Sequence, residues 1–306
     1  MDPILFIQLI LTGSIRSGTS VLYAVLGETV SEKVGVVNLG TEGCMLMGAC
    51  AGFIITFQTG NPWLGVLVAG LAGGLLSLAH AYLVISCGAN QLASGLAMLF
   101  LGLGLTALLG RDYVKESIVG FNTIPIPFLS DIPFIGKILF NHDIMTYVGF
   151  LIGPALWFLM YRTRWGLSMR AVGESRAVAF STGRNPVRIA YIGVFVGGIL
   201  AGLGGAQLSL AFTHFWVENM TQGAGFIAVA LVIFAMWHPI RAIFGALLYG
   251  GAYSLQLTLQ TMGVGIPPAL LQMLPYVLTL VVLLAWSKAS KRALPAELGR
   301  PFGAQT

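Results

Sequence analysis

Eleven acidic residues, four histidines and three cysteines are the side chains of this 306-residue chain best suited to acid–base, nucleophilic or metal chemistry. Their spacing supports none of it. His80, His142, His214 and His238 lie too far apart in sequence for any ligand pattern, and Cys44, Cys50 and Cys87 sit in apolar sequence without a C-x-x-C step. Neither a metal site nor a disulfide is expected, and the cysteines read as packing residues. No His, Cys, Asp or Glu grouping supplies a nucleophile with its base, so no catalytic residue is assigned. What remains is weaker chemistry, carried by neutral groups within or beside apolar stretches: Asn38, Asn90, Gln91, Ser94, Gln207, Gln222 and Gln256. Each can form reversible hydrogen bonds, either to a neighbouring helix or to a polar solute moving past it. Two charges accompany them. Arg16 is the only basic residue deep in an apolar stretch, and an isolated charge in a bilayer costs about 2.5–3.5 kcal/mol on insertion scales. It should therefore turn inward and seek a carboxylate. Glu42, expected in the first turn of the next helix where the dipole favours a negative charge, is the predicted partner, so that Arg16 and Glu42 pin the first two helices together. The alternative is an Arg16 that snorkels or lines a wet cavity with no fixed partner.

The elements that position these groups must be membrane helices. Hydrophobic residues make up 57% of the chain and only 9% are charged, and the mean hydropathy is +0.86. That is more apolar surface than one soluble core can bury. A spanning helix needs about 20 apolar residues, which places spans near 4–27, 44–59, 63–87, 90–110, 144–161, 189–210, 223–237, 241–260 and 267–287. The expected fold is an all-α integral membrane protein, a polytopic bundle of about eight to ten helices forming a single transmembrane domain over residues 1–306. The second and seventh spans are short and glycine-rich, open to being broken or re-entrant. Two glycine runs, Gly70-x-x-Gly73-Gly74 and Gly197-Gly198-x-x-x-Gly202-x-Gly204-Gly205, read as close helix crossings. Leu39-Gly-Thr-Glu-Gly43 and Thr221-Gln-Gly-Ala-Gly225 echo each other ahead of the second and seventh spans, as in an inverted repeat whose halves meet at the path.

Orientation follows from the cations. Arg162, Arg164, Arg170, Arg176, Arg184 and Arg188 cluster between two apolar stretches, and Lys and Arg are retained on the cytoplasmic side. Setting residues 162–188 inside also places Lys33, Arg241, Lys288, Lys291, Arg292 and Arg300 there, against Arg111, Lys115 and Lys137 outside. The N-terminus is then outside, with no cleavable-leader pattern at Met-Asp-Pro, and the C-terminus inside. The net charge of +5 is thus a topology signal and does not point to nucleic acid. Residues 111–143, with Pro125, Pro127 and Pro133, should form an irregular periplasmic loop that packs Phe121, Phe128 and Phe134 on the bundle or docks a soluble partner. Residues 288–306 should form a short, basic, solvated cytoplasmic tail. Within the arginine cluster, Gly173 to Gly183 reads as a short helix, with Gly183 as its C′ residue and Asn185-Pro186 opening the next span. Such a helix either transmits force or links two spans while its arginines bind lipid headgroups.

Several ordered segments carry a resemblance: Ser31-Glu-Lys-Val-Gly-Val-Val-Asn-Leu-Gly-Thr-Glu-Gly43, Asn90-Gln-Leu-Ala-Ser-Gly-Leu-Ala97, Gly166-Leu-Ser-Met-Arg-Ala-Val-Gly-Glu174, Ala201-Gly-Leu-Gly-Gly-Ala-Gln207, Gly223-Ala-Gly-Phe-Ile-Ala228 and Leu274-Pro-Tyr-Val-Leu-Thr279. Over residues 5–287 the chain resembles the permease subunits of ABC importers for nucleosides and simple sugars, relatives of the branched-chain amino acid permeases, and the pattern is nearest the nucleoside type. The resemblance implies a type II importer-like bundle in the bacterial inner membrane. It implies a coupling helix formed by Glu174, Ser175, Arg176, Ala177, Val178, Ala179, Phe180, Ser181 and Thr182 that docks on a separate ATPase subunit. It also implies a second, identical or homologous permease, and a periplasmic or lipoprotein solute-binding protein. ATP and Mg would sit on the ATPase, consistent with the lack of a G-x-x-x-x-G-K-[ST] loop here. The neutral groups named above then become candidates for the path, since a nucleoside offers hydroxyl and heteroatom edges. One departure is Glu174-Ser-Arg, where the family more often has Glu-Asn-Pro. Two further readings are a permease for a simple sugar or other small polar solute and an ion-coupled secondary transporter. The last would normally show several intramembrane acids or histidines, and the spans offer mainly Glu42 and His80.

Overall fold

The structure is a computed structural model that describes residues 3–263, 265–290 and 293–302. Lys291, Arg292 and residues 303–306 of the expected tail lie outside the described residues, as does the side chain of Lys288. The chain is helical throughout its apolar stretches. α1 runs Pro3–Lys33, α2 Thr41–Thr59, α3 Pro62–Ala81 with a π-helical end at Tyr82–Ser86, and α4 Gln91–Gly110. After the 111–143 segment come α6 Ile144–Arg162, α7 Arg164–Glu174, α8 Arg176–Ser181 and α9 Pro186–Ala206, the last extended by a π-helical stretch at Gln207–Thr213. α10 is Ala224–Phe234, α11 Pro239–Thr261, α12 Pro268–Gln272 and α13 Leu274–Ser290. Starts are set by side-chain caps. Asn61, Asn90, Asp143, Thr163 and Asn185 each accept a backbone N–H from the first turn they precede, and Pro62 and Pro186 occupy first-turn positions where no donor is lost.

Among the described residues, seven helices are long and apolar enough to cross a membrane. The nine expected spans all fall on helices, but two are of another kind. α2 is 19 residues long and buried along most of its length. α10 has only 11 residues, about 16 Å at the helical rise, roughly half the hydrocarbon thickness. It is a partial crossing, as its glycine-rich approach allowed.

α1 lies at the centre, packed on α9, α10, α11 and α6, and nearly every residue from Ser14 to Val36 is buried or half-buried. α2, α3 and α9 form the tightest unit. The two glycine runs meet each other there. A Cβ on Gly73 would lie 2.5 Å from the Gly198 carbonyl oxygen, and one on Gly198 would lie 2.6 Å from that of Gly73. Only hydrogen permits that approach, as expected of membrane crossings.

Two expectations about loops are corrected. The 111–143 segment is partly regular: strand β1, Thr123–Pro125, pairs antiparallel with β2, Asn141–Asp143, and a one-turn helix α5 spans Ile135–Leu139. Phe121 packs against Trp63 with ring centroids 4.9 Å apart, whereas Phe128 is 87% exposed and Phe134 is also exposed. The tail is not solvated over its described part. Pro295 and Glu297 are buried, and the Glu297 N–H donates to the Gly173 carbonyl at 2.9 Å. Irregular backbone survives here because side chains from the bundle satisfy its carbonyls. Cys44 and Cys50 are buried as expected, while Cys87 is exposed.

Candidate functional site

A cavity of about 150 Å³ lies between the middle of α1, the π-helical stretch after α9, the turn before α10, and helices α11 and α13. Its wall alternates two materials. Phe212, Tyr249, Tyr253 and Tyr276 present aromatic rings, while Ser17, Ser20, Thr221, Gln222, Gln256 and Gln272 present hydroxyls and amides. Among the described residues, no Asp, Glu, Lys, Arg or His lines it. The Tyr276 hydroxyl donates to the Gln222 carbonyl at 2.7 Å, tying α13 to the turn before α10. Tyr249 and Tyr253 lie ring over ring, 6.3 Å apart at 25°. Such a wall grips a flat, neutral, polar molecule through faces and weak hydrogen bonds. It has no charge with which to hold an ion.

The turn before α10 is fixed from below by Glu42. Its Oε1 accepts from the Thr221 hydroxyl and from the Gly223 N–H at 2.8 Å, and its Oε2 accepts from the Gly225 N–H at 2.6 Å. A carboxylate from α2 therefore caps the N-terminus of α10, meeting orphan donors and the positive end of the helix dipole together. Gly225 carries no Cβ because one would lie 2.5 Å from the Glu42 Cα. The two echoing segments of the sequence are thus in direct contact.

The expected Arg16–Glu42 pair is corrected. Among the described residues the ion pairs within 4.0 Å are Arg111–Asp112 and Arg176–Glu297. Glu42 is already occupied by hydroxyl and amide donors. The Arg16 guanidinium lies over the ring of Phe212, 5.7 Å from its centroid, and its buried Nε has no hydrogen-bond partner.

The arginine-rich segment is two helices in place of one. α7 ends at Glu174, the extended Ser175 breaks the chain, and α8 starts at Arg176 with the Ser175 hydroxyl accepting from the Val178 N–H. Gly183, at φ +77°, closes α8 as the expected C′ residue, with its N–H donating to the Phe180 carbonyl. Ala179 is buried, while Val178 and Phe180 stand 59% and 71% exposed on the outer side of this short element. Burial pulls the Arg176 guanidinium below the ordinary arginine range, with Glu297 opposing the fall and Arg300 adding to it.

The family described as the permease component of the branched-chain amino acid transport system matches residues 10–283. The chain belongs to that family.

This permease is 35% identical over 301 residues to the guanosine ABC transporter permease protein NupQ of Bacillus subtilis, covering 92% of this chain and 93% of the relative. It is 31% identical over 296 residues to the nucleoside ABC transporter permease protein NupC of Lactococcus lactis, covering 92% and 93%. It is 43% identical over 263 residues to the putative glucose ABC transporter permease protein TsgC13 of Haloferax volcanii, covering 85% and 80%. No solved structure matches it. The permease is therefore a multi-pass membrane component of an ABC transporter.

The structure brings Gln222 and Gln256 of this permease to the cavity and distributes the other expected groups elsewhere. Asn38 accepts the Gly40 N–H in its own turn, and the exposed Asn90 caps α4. Ser94 bonds His80 Nδ1 at 3.0 Å. Gln207 donates to the Arg16 carbonyl at 3.3 Å. Gln91 is held by the 35–37 turn and by Arg300. Sequence reasoning missed the tyrosines of the wall, which read as ordinary core residues in α11 and α13. It also missed Glu28 and Glu32, buried in the last turns of α1. Glu28 accepts from the Asn38 N–H at 2.7 Å and the Thr41 hydroxyl at 2.8 Å, and Glu32 accepts from Trp237 Nε1. Their spacing of four residues was the available signal, since it places both on one helix face.

Proposed function

We propose that this permease forms the translocation path of an importer for a neutral polar solute, a nucleoside, and that the cavity between α1, α10, α11 and α13 is a station on that path. The observation that carries the reading is the uncharged wall of aromatic rings and amides: a nucleobase offers a flat face to the rings and donor and acceptor edges to Gln222, Gln256 and Gln272. A simple sugar is the second reading, favoured by the 43% identical Haloferax relative. Energy comes from outside the chain. α8, with Val178 and Phe180 exposed, is the surface offered to a separate ATPase subunit that holds ATP and Mg, and this chain carries out no catalysis of its own. A second permease completes the pore and a periplasmic or lipoprotein binding protein delivers the solute. The cation distribution supports an orientation with residues 162–188 on the cytoplasmic side and the N-terminus outside, in bacteria across the inner membrane. The test is uptake into proteoliposomes holding the permease, its ATPase subunits and its binding protein. Radiolabelled guanosine should accumulate with ATP and be competed by other nucleosides. Accumulation of glucose with no uptake of nucleoside would replace the solute, and ATP-independent uptake would overturn the reading.

A further inference from the structure

Arg176 is the first residue of α8, and what it does is visible. The residue is 8% exposed, whereas Val178 and Phe180 of the same short helix are exposed. Nη1 donates to the Pro301 carbonyl at 2.7 Å, and Nη2 donates to those of Arg300 at 3.0 Å and Glu297 at 3.2 Å. Nε lies 3.8 Å from the Glu297 carboxylate, and the guanidinium lies 3.6 Å from the centre of the Phe302 ring. Every one of these contacts falls within residues 297–302. A planar, five-donor cation can gather several carbonyls of an irregular segment and stack on a ring at once, which an ammonium cannot.

The same segment grips the bundle on its other side. Gln91, at the start of α4, donates through Nε2 to the Arg300 carbonyl at 3.1 Å, and its Oε1 accepts from the Val37 N–H at 2.8 Å. Gly35, at the left-handed φ of +87° that favours glycine, packs closely on the same segment: a Cβ there would lie 3.2 Å from the Glu297 carbonyl oxygen and 3.5 Å from Arg176 Nη2. Residues 35–42 are therefore fastened to the 297–302 segment at one end. At the other, Glu42 holds the N-terminus of α10 beside the cavity.

We propose that residues 293–302 form a strap through which α8 moves the Gly35–Glu42 turn, with Arg176 and Gln91 as positioning residues, and that Glu42 hands the motion to α10 and the cavity wall. The inference rests on the reading of α8 as the ATPase-facing helix. Covalent links through α7 and α9 offer α8 a different route into the bundle, so the strap makes a claim of its own. Coupling through the strap is read by a perturbation that separates hydrolysis from transport.

The experiment measures solute moved per ATP hydrolysed in proteoliposomes carrying the permease with its ATPase subunits and binding protein. Arg176→Gln and Gln91→Leu should each lower that ratio by about fivefold or more, the range of ordinary allosteric couplings, and Arg176→Lys should fall between Arg176→Gln and the parent. A misfolded fraction lowers both rates together and leaves the ratio alone, so the ratio reports the strap. An unchanged ratio in both variants overturns the inference. Where Arg176→Gln fails to assemble, Phe302→Ala removes only the stacked ring. A lowered ratio in that variant supports the strap and an unchanged one overturns it. Phe180→Asp on the outer face of α8 separates the two readings. If Phe180→Asp still binds the ATPase and pumps, the α8 reading fails. If it blocks assembly while the strap variants keep the parental ratio, only the strap is wrong.

Discussion

At the α3–α9 crossing, Gly73, Gly198 and Gly202 let two backbones meet directly, with the Ser77 hydroxyl of α3 donating to the Val194 carbonyl of α9 beside them, whereas the 11-residue α10 is held at its start by a carboxylate borrowed from α2. Two ways of joining helices in a membrane are set side by side within one bundle. Close backbone contact has a single geometry, and any displacement forfeits many small dispersion gains at once. Three hydrogen bonds to one side chain can turn with that side chain, and α10 is too short to be anchored by the bilayer at both faces. The crossing is built to stay, while the wall at α10 and the α8 end of the molecule are built from parts that can move as units.

That contrast can be broken, beginning with its rigid half. Gly73→Leu forces a branched side chain against backbone and should cost about 3 kcal/mol or more, seen as loss of a single monodisperse species after extraction into detergent. A folded, active Gly73→Leu would mean that the crossing is looser than its geometry. Next comes Glu42→Ala, which strips the α10 cap and leaves its buried N–H groups unpaired. It should lower stability by about 3 kcal/mol and raise hydrogen exchange in α10 before that of α3 or α9. Equal loosening of all three helices would count against separate rigid and mobile regions. The smallest effects sharpen the comparison between a path amide and a capping amide. Gln222→Ala should change uptake at limiting solute by about fivefold, one hydrogen bond. Asn90→Ala should cost about 1 kcal/mol of stability with uptake per folded molecule unaltered. The reverse pattern would move the path away from the cavity.

The legible parts of this fold were those carried by local composition. Glycine runs at three- and four-residue spacing announced crossings and made them, because the smallness of the residue is itself the cause of the contact. Asn185-Pro186 likewise acts where it stands, as cap and first turn. Glu42 was legible only in part. Its place in the first turn of α2 followed from the sequence, yet its carboxylate reaches across 181 positions to cap another helix. Arg16 was wrongly paired because a guanidinium set over a distant aromatic ring leaves no periodic trace. Gln91 read as one more amide in an apolar run, and residues 293–302 read as a solvated tail, since their burial depends on Arg176 and Gly35 from distant parts of the chain.

The sequence by itself determined the solvent, the course of the apolar helices, the cap at Asn185 and the apolar residues of a short arginine-flanked helix. All of these depend on residues within a few turns of one another, through hydropathy, helix propensity and capping. Only the tertiary structure decided which donors meet which acceptors: that Glu42 serves α10, that two of seven polar candidates reach a cavity walled by tyrosines, and that residues 293–302 fold back onto Arg176. A buried polar group must find a partner wherever the packed chain presents one, and that choice is settled by the arrangement of helices in space, which neighbouring residues do not record.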